Sequence, residues 1–186
     1  MKRLFDIAIT LCALICLAIP MAIVAIAVRL TSTGPCLYWS ARVGRHNRIF
    51  QMPKFRSMRI DTPAVATHLL LQPENYLTPI GSLLRNSSLD ELPQLWCILK
   101  GDMSIVGPRP ALFNQQDLIA LRSLHQVDAL MPGLTGWAQV NGRDEVSIEE
   151  KVRLDTEYLH RHSFALDIQI IWRTCAQVLH GRGVSH

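Results

Sequence analysis

The sequence predicts an α/β, helix-rich, membrane-associated domain with a small irregular sheet. Three observations carry that expectation. No residue lies charged between Asp6 and Arg29. Residues 31–60 mix short strand-like stretches with turn residues, and from Gly81 onward apolar residues recur at helical spacing, punctuated by Gly and Pro. A chain of 186 residues fits one domain with a modest core. The expected organisation is a membrane-inserted helix over 1–30 and a body over 31–186 lying on the membrane surface.

The first helix is read from its composition. A helix over the uncharged stretch is about 30 Å long at ~1.5 Å per residue, which matches a bilayer core. A cleaved signal peptide fits less well, because the apolar run is long and no clean small-x-small site follows it. Lys2 and Arg3 precede the run, while Arg29, Arg42, Arg45, Arg48, Lys54, Arg56 and Arg59 follow it. The larger positive charge after the run predicts a cytoplasmic body. Basic residues on both flanks equally suit a hairpin that enters and leaves one face. Pro20 removes one backbone donor mid-helix and frees the carbonyl of Cys16, so a kinked spanning helix and a hairpin both stay open here.

Downstream, TSTGP reads as a turn, CLYW as an apolar stretch and ARVGRHNRIF as a basic hairpin-like loop. Lys54 follows, which on its own reads as an anchor on anionic lipid headgroups. Residues 61–80 read as a variable loop with one short helix.

The chemistry-bearing stretch is RNSSLDELPQLWCILKGDMSIVGPRP, from Arg85 to Pro110. Ser88 and Glu91 have the spacing of a capping box, and Asp90 is an alternative N-cap. Either frame sets Asp90 and Glu91 at the positive end of a helix dipole, which stabilises carboxylates and attracts anions. Leu89, Leu92, Leu95, Trp96, Ile98 and Leu99 are expected to bury this helix. Arg85 precedes the carboxylates, and Arg109 sits in a rigid Gly-Pro-Arg-Pro turn, where its planar fork of donors suits phosphate oxygens. Adjacent carboxylates alone are ordinary capping; two arginines in the same stretch point to chemistry on a phosphate.

In the C-terminal third, FNQQDLIALRSLHQ has helical spacing, and MPGLTGWAQVNGRDEVS is dense in glycine, which lets backbone approach a ligand. Gln139, Asn141 and Arg143 are therefore candidates to face a nucleotide or sugar. SIEEKVRLDTEYLHRH opens on a second Ser-x-x-Glu cap. The last segment is an amphipathic helix with Phe164, Ile168, Ile171, Trp172, Cys175, Val178 and Leu179 on one face, for the bilayer or for the core. Gly181 is its expected stop.

A net charge of +4 and pI of about 9.0 favour an anionic partner. Five cysteines without a C-x-x-C pair argue against a disulfide framework or structural zinc. No Gly-rich phosphate loop, nucleophile elbow or nucleic-acid reading motif occurs, so no nucleic-acid partner is expected. Adjacent carboxylates cannot flank a glycosidic bond as a glycosidase requires. The remaining alternative to an enzyme is a basic membrane module that docks anionic lipid or a partner protein without catalysis.

The strings SLDELPQL and KGDMSIVGPRP, and with them nearly the whole chain, resemble the bacterial polyprenyl-phosphate glycosyl-1-phosphate transferases of the small, single-domain kind. The resemblance implies a re-entrant helix-break-helix at Pro20, although Ile19 stands where the family often has Ser. Cys97 likewise stands where Asn is common. It further implies that Asp90 is the nucleophile toward a UDP-sugar donor, assisted by Glu91, with Lys54 facing the active site as a candidate phosphate contact. Mg²⁺, held at Asp90, would be the cofactor and undecaprenyl phosphate the acceptor, at the cytoplasmic face of the bacterial inner membrane. A homodimer is a further expectation.

Overall fold

The computed structural model describes residues 2–63, 72–142 and 146–179. Helix α1 (Lys2–Thr31) is followed by strands β1 (Leu37–Val43) and β2 (Ile49–Phe55) and helix α2 (Gly81–Asn86). A 3₁₀ segment (Leu89–Gln94) then runs into α3 (Leu95–Lys100), β3 (Ser104–Val106) and β4 (Ala111–Leu112). Helix α4 (Gln116–Leu124), strand β5 (Gly133–Thr135) and helices α5 (Trp137–Asn141), α6 (Ile148–Arg161) and α7 (Phe164–Leu179) complete the order. Helix dominates as expected, but the single small sheet is two among the described residues. Strands β2-β1-β4 form an antiparallel sheet, and β3 and β5 form a short parallel pair.

Helix α1 is 30 residues long and apolar enough to cross a membrane. It runs unbroken through Pro20, which differs from the expected helix-break-helix. One stripe packs on the body along the whole helix. Phe5, Leu14 and Leu17 lie on the main core with Phe50, Met52 and Ile98, while Val24 and Val28 pack with Phe55 and Leu84. The opposite stripe, including Ile15, Ile19, Ile23 and Leu30, is exposed.

Polar contacts fasten the first turns. Arg3 donates to the carbonyls of Ile98 and Leu99 at the C-terminus of α3, where a cation complements the helix dipole. Asp6 is buried, accepting from Ser104 Oγ at 2.8 Å and from the Ile105 amide at 3.3 Å. Lys2 pairs with Asp167, which also accepts from the Tyr158 hydroxyl. The charges that precede the apolar run are therefore tertiary tethers as well as a flank.

The β1–β2 hairpin explains how Lys54 reaches the carboxylates. Alternation puts Phe50, Met52 and Lys54 on one face of β2. The first two sink into the core against α3, and the third emerges beside the 3₁₀ segment. The amphipathic faces of α7 also separate. Leu166 and Ile170 are buried, whereas Phe164, Ile168, Trp172, Cys175 and Val178 are exposed. Core packing is thus the role of the opposite face. The expected stop at Gly181 lies outside the described residues.

Candidate active site

Backbone geometry around Asp90 departs from the expected capped helix. Ser88 lies in the left-handed region at φ 56° and makes no side-chain cap bond; its carbonyl accepts the Glu91 amide instead. Asp90 is inside the 3₁₀ segment rather than at its N-cap. Both capping frames are therefore corrected. The physical reason is tertiary: Glu91 spends its carboxylate on cations from two other elements, so it cannot reach back to Ser88. Trp96, expected to be buried, is 58 % exposed, because α3 turns Cys97 and Ile98 inward.

Glu91 is the hub. Its Oε1 accepts from Lys54 Nζ at 2.7 Å and from Arg109 Nη2 at 2.6 Å, and Oε2 accepts from Arg109 Nη1 at 3.3 Å. Burial alone pushes this carboxyl up, but Arg109 and Lys54, through charge and direct hydrogen bonds, hold it well below the usual range. The arginine read as a waiting phosphate clamp is thus already forked onto a carboxylate.

Asp90, next in the chain, is in the opposite state. It is 4 % exposed, and its Oδ1 is buried without a hydrogen-bond partner among the described residues. Burial pushes its pKa from 3.8 to about 6, the Glu91 charge adds to the rise, and Lys54, Arg85 and Arg109 oppose it. A carboxylate that is ionised near neutral pH yet poorly solvated is a primed nucleophile.

Asp90 lines a cleft of about 190 Å³ together with Arg42, Lys54, Arg59, Arg85, Tyr38 and Phe113. Arg59 is engaged by Asp61 at 2.8 Å on the exposed rim. Arg85 comes from the last turn of α2, held in place because Gly81 packs against the Ser57 carbonyl, where a Cβ would lie only 2.1 Å away. Sequence reasoning counted Arg42 only as a flanking charge. On β1 it donates from Nε to Ser40 Oγ at 3.0 Å and from Nη1 to the Pro110 carbonyl at 3.2 Å. Burial, then the neighbouring Arg109, push its pKa down to about 10. Its period-two spacing with Tyr38 and Ser40 along β1 was the available signal.

The glycine-rich candidates are elsewhere. Gln139 and Asn141 are on α5 and do not line this cleft. Gln139 Nε2 donates to the Leu134 carbonyl at 3.4 Å, and Asn141 bonds the Trp137 carbonyl at 2.9 Å and Arg173 at 3.1 Å. The helical turn of α5 directs these amides to their own backbone and to α7. Arg143 lies outside the described residues. Cys97 is buried, with Sγ 3.6 Å from the Gln51 carbonyl, and burial first, then Asp102, push the thiol up to about 11.

For a divalent ion, no group of three His, Cys, Asp or Glu side chains exists among the described residues. Mg²⁺ commonly uses one or two carboxylates, with substrate phosphates and water completing its shell. The unpartnered oxygen of Asp90 fits that pattern; Glu91, fully engaged, does not.

Residues 1–181 match the family model described as bacterial sugar transferase. The chain is 39 % identical over 184 residues to an uncharacterized sugar transferase of Bacillus subtilis, covering 99 % of this chain and 90 % of that one. It is 40 % identical over 186 residues to a UDP-glucose:undecaprenyl-phosphate glucose-1-phosphate transferase of Xanthomonas campestris, covering 96 % of this chain and 38 % of the relative. An undecaprenyl-phosphate galactose phosphotransferase of Salmonella typhimurium is 36 % identical over 201 residues, covering 98 % of this chain and 41 % of the relative. The chain thus spans well under half of these last two relatives. With its carboxylate doublet, cationic cleft and end-to-end family match, the chain belongs to the bacterial sugar transferases.

Proposed function

We propose that the chain transfers a sugar 1-phosphate from a UDP-sugar to undecaprenyl phosphate through a covalent intermediate on Asp90. The single observation that carries this reading is the asymmetry of the doublet: Glu91 is clamped by Arg109 and Lys54, while Asp90 is buried, unpartnered at Oδ1 among the described residues and on the wall of the cleft. The acceptor and the reaction type are those for which the Xanthomonas and Salmonella relatives are named.

In the first step an Asp90 oxygen attacks the phosphorus that carries the sugar. The new oxygen–phosphorus bond forms as the bond to the bridging oxygen breaks, and UMP leaves with that electron pair. The sugar phosphate stays on Asp90 as an acyl phosphate. In the second step a phosphate oxygen of undecaprenyl phosphate attacks the same phosphorus. Polyprenyl diphosphosugar departs, and the Asp90 carboxylate is restored.

Glu91 fixes Lys54 and Arg109 around the entering phosphates, and Arg42 and Arg85 add positive charge from the other walls. Asp90 is also the residue that would hold Mg²⁺, which when bound neutralises diphosphate charge.

The acceptor is a lipid, which suits a body fastened to an apolar helix. An α1 that lies along the body at one membrane face is supported over a crossing one by its contacts. Lys2, Arg3 and Asp6 at one end and Val24 and Val28 at the other pack on the same body. A crossing helix would carry one end away from it. The basic residues after α1 favour the cytoplasmic face of the inner membrane. The product would begin assembly of a surface glycan.

The test is UMP release by detergent-held protein with Mg²⁺ and undecaprenyl phosphate. The donor panel contains UDP-glucose, UDP-galactose and acetamido sugars, with Asp90→Asn in parallel. The expected result is acceptor-dependent release and an intact-mass phosphosugar adduct, both lost in Asp90→Asn. Release that survives Asp90→Asn overturns the covalent role, and silence across the panel favours the non-catalytic module.

A further inference from the structure

Three consecutive carbonyls of the Pro108–Arg109–Pro110 turn are each held by a donor from a different part of the chain. The Gly133 amide on β5 donates to the Pro108 carbonyl at 2.9 Å. Arg122 Nη1 on α4 donates to the Arg109 carbonyl at 2.8 Å, and Arg42 Nη1 on β1 donates to the Pro110 carbonyl at 3.2 Å. Two prolines already restrict this backbone, so three more constraints are far beyond what a connecting turn needs.

Arg122 is the most unusual of the three. It is a charged residue 8 % exposed on a surface helix, and Asp155 on α6, 1 % exposed, takes its Nε at 3.0 Å and its Nη2 at 2.6 Å. A buried ion pair is a poor device for stability alone, because desolvation offsets most of the attraction. What this pair achieves is directional. Asp155 occupies two donors of the guanidinium and leaves Nη1 aimed at the backbone of Arg109. The side chain of that residue makes the fork onto Glu91.

We infer that Arg122, oriented by Asp155, is a positioning residue for the transfer reaction, setting the backbone from which Arg109 reaches Glu91. The inference rests on the reaction proposed above. Neither Arg122 nor Asp155 lines the cleft; both act through Arg109. A lysine at position 122 keeps a positive charge for Asp155 but lacks the rigid fork that serves both partners at once.

The test compares wild type, Arg122→Lys, Arg109→Lys and the double variant, reading kcat and KM for the UDP-sugar that wild type uses. Hydrogen exchange over residues 105–111 is measured on the same samples. Positioning predicts that Arg122→Lys lowers kcat about ten- to a hundredfold, as displaced catalytic groups do, with KM changed less than about threefold. It also predicts faster exchange confined to the turn and, in the double variant, no loss beyond that of Arg109→Lys. Wild-type kcat in Arg122→Lys, or multiplicative losses in the double variant, overturns it.

If Arg122→Lys unfolds, the volume-matched pair Arg122→Met with Asp155→Leu replaces it. That pair is expected to be folded and slow; folded with full activity, it overturns the inference. Exchange needs no turnover, so the two readings fail separately. Loosening confined to the turn, with no transfer by wild type, overturns the proposed reaction and keeps the positioning of Arg109. Unchanged exchange in an active series overturns the positioning alone.

Discussion

At the scale of single residues, two neighbouring carboxylates carry opposite energetic signs. Glu91 bonds two cations in a site that hides all three side chains from most of the solvent. Glu91→Gln removes the only carboxylate bonded to both Lys54 and Arg109 among the described residues, and an uncompensated buried charge costs about 3–5 kcal/mol. A fall in Tm of about 10 °C, measured in detergent, is expected, at roughly 2–4 °C per kcal/mol for a domain of this size. Asp90 is buried without a partner for Oδ1 among the described residues, so ionising it opposes folding. Its raised pKa makes the sign explicit: the favourable contribution exists below the ordinary carboxylate range and is lost as pH rises through about 6. Asp90→Asn is therefore expected to raise Tm by a few degrees at pH 7.5 while abolishing transfer. A Tm below wild type would show that Asp90 is held by contacts that its buried, unpartnered oxygen does not reveal.

At the scale of elements, the site is assembled by close backbone approach. Gly107 follows β3 and opens the Gly-Pro-Arg-Pro turn, donating its amide to the Thr135 carbonyl at 2.9 Å. A Cβ there would lie 2.2 Å from the Met131 carbonyl. No rotamer relieves a clash with backbone, so Gly107→Ala is expected to separate β3 from β5 and to cost about 1–3 kcal/mol or more. Thermal unfolding measures the cost. Transfer should fall further than the loss of folded protein accounts for, because Arg109 moves with the turn. Gly101 has a different reason to be glycine. Its φ of 97° closes α3 and presents the Ile98 and Leu99 carbonyls to Arg3.

At the scale of the molecule, α1 is fastened at both ends to one body and leaves an apolar stripe uncovered. If both ends lie at one face of the membrane, a cysteine at either end is reachable from the same side. In a background with the five native cysteines replaced, Lys2→Cys and Thr33→Cys are expected to react alike with an impermeant maleimide in sealed inside-out vesicles. Reaction of one alone would mean that the helix crosses. The exposed face of α7 belongs to the same question. Trp172 is 75 % exposed, and its fluorescence should shift to the blue on transfer from detergent to anionic vesicles, with Trp172→Ser loosening vesicle binding severalfold.

The local facts were legible in the sequence because each depends on near neighbours. The uncharged run makes α1, Ser147 caps α6 by accepting the Glu150 amide, and the basic hairpin follows from its turn residues. Asp90, Glu91, Arg85 and Arg109 were nominated from one short stretch, and Lys54 from the family resemblance. What the motifs could not express was how these residues divide the charge. Lys54 and Glu91 are 37 positions apart, and Arg42 and the Pro110 carbonyl are 68 apart. Only folding decides that Glu91 takes both cations, that Asp90 Oδ1 has no hydrogen-bond partner among the described residues, and that Arg42 joins the cleft while Gln139 and Asn141 stay outside it. The physical reason is that burial and ion pairing depend on distances between elements. A sequence determines which side chains are available within each element; the tertiary structure determines which of them meet, and so which carboxylate is left to react.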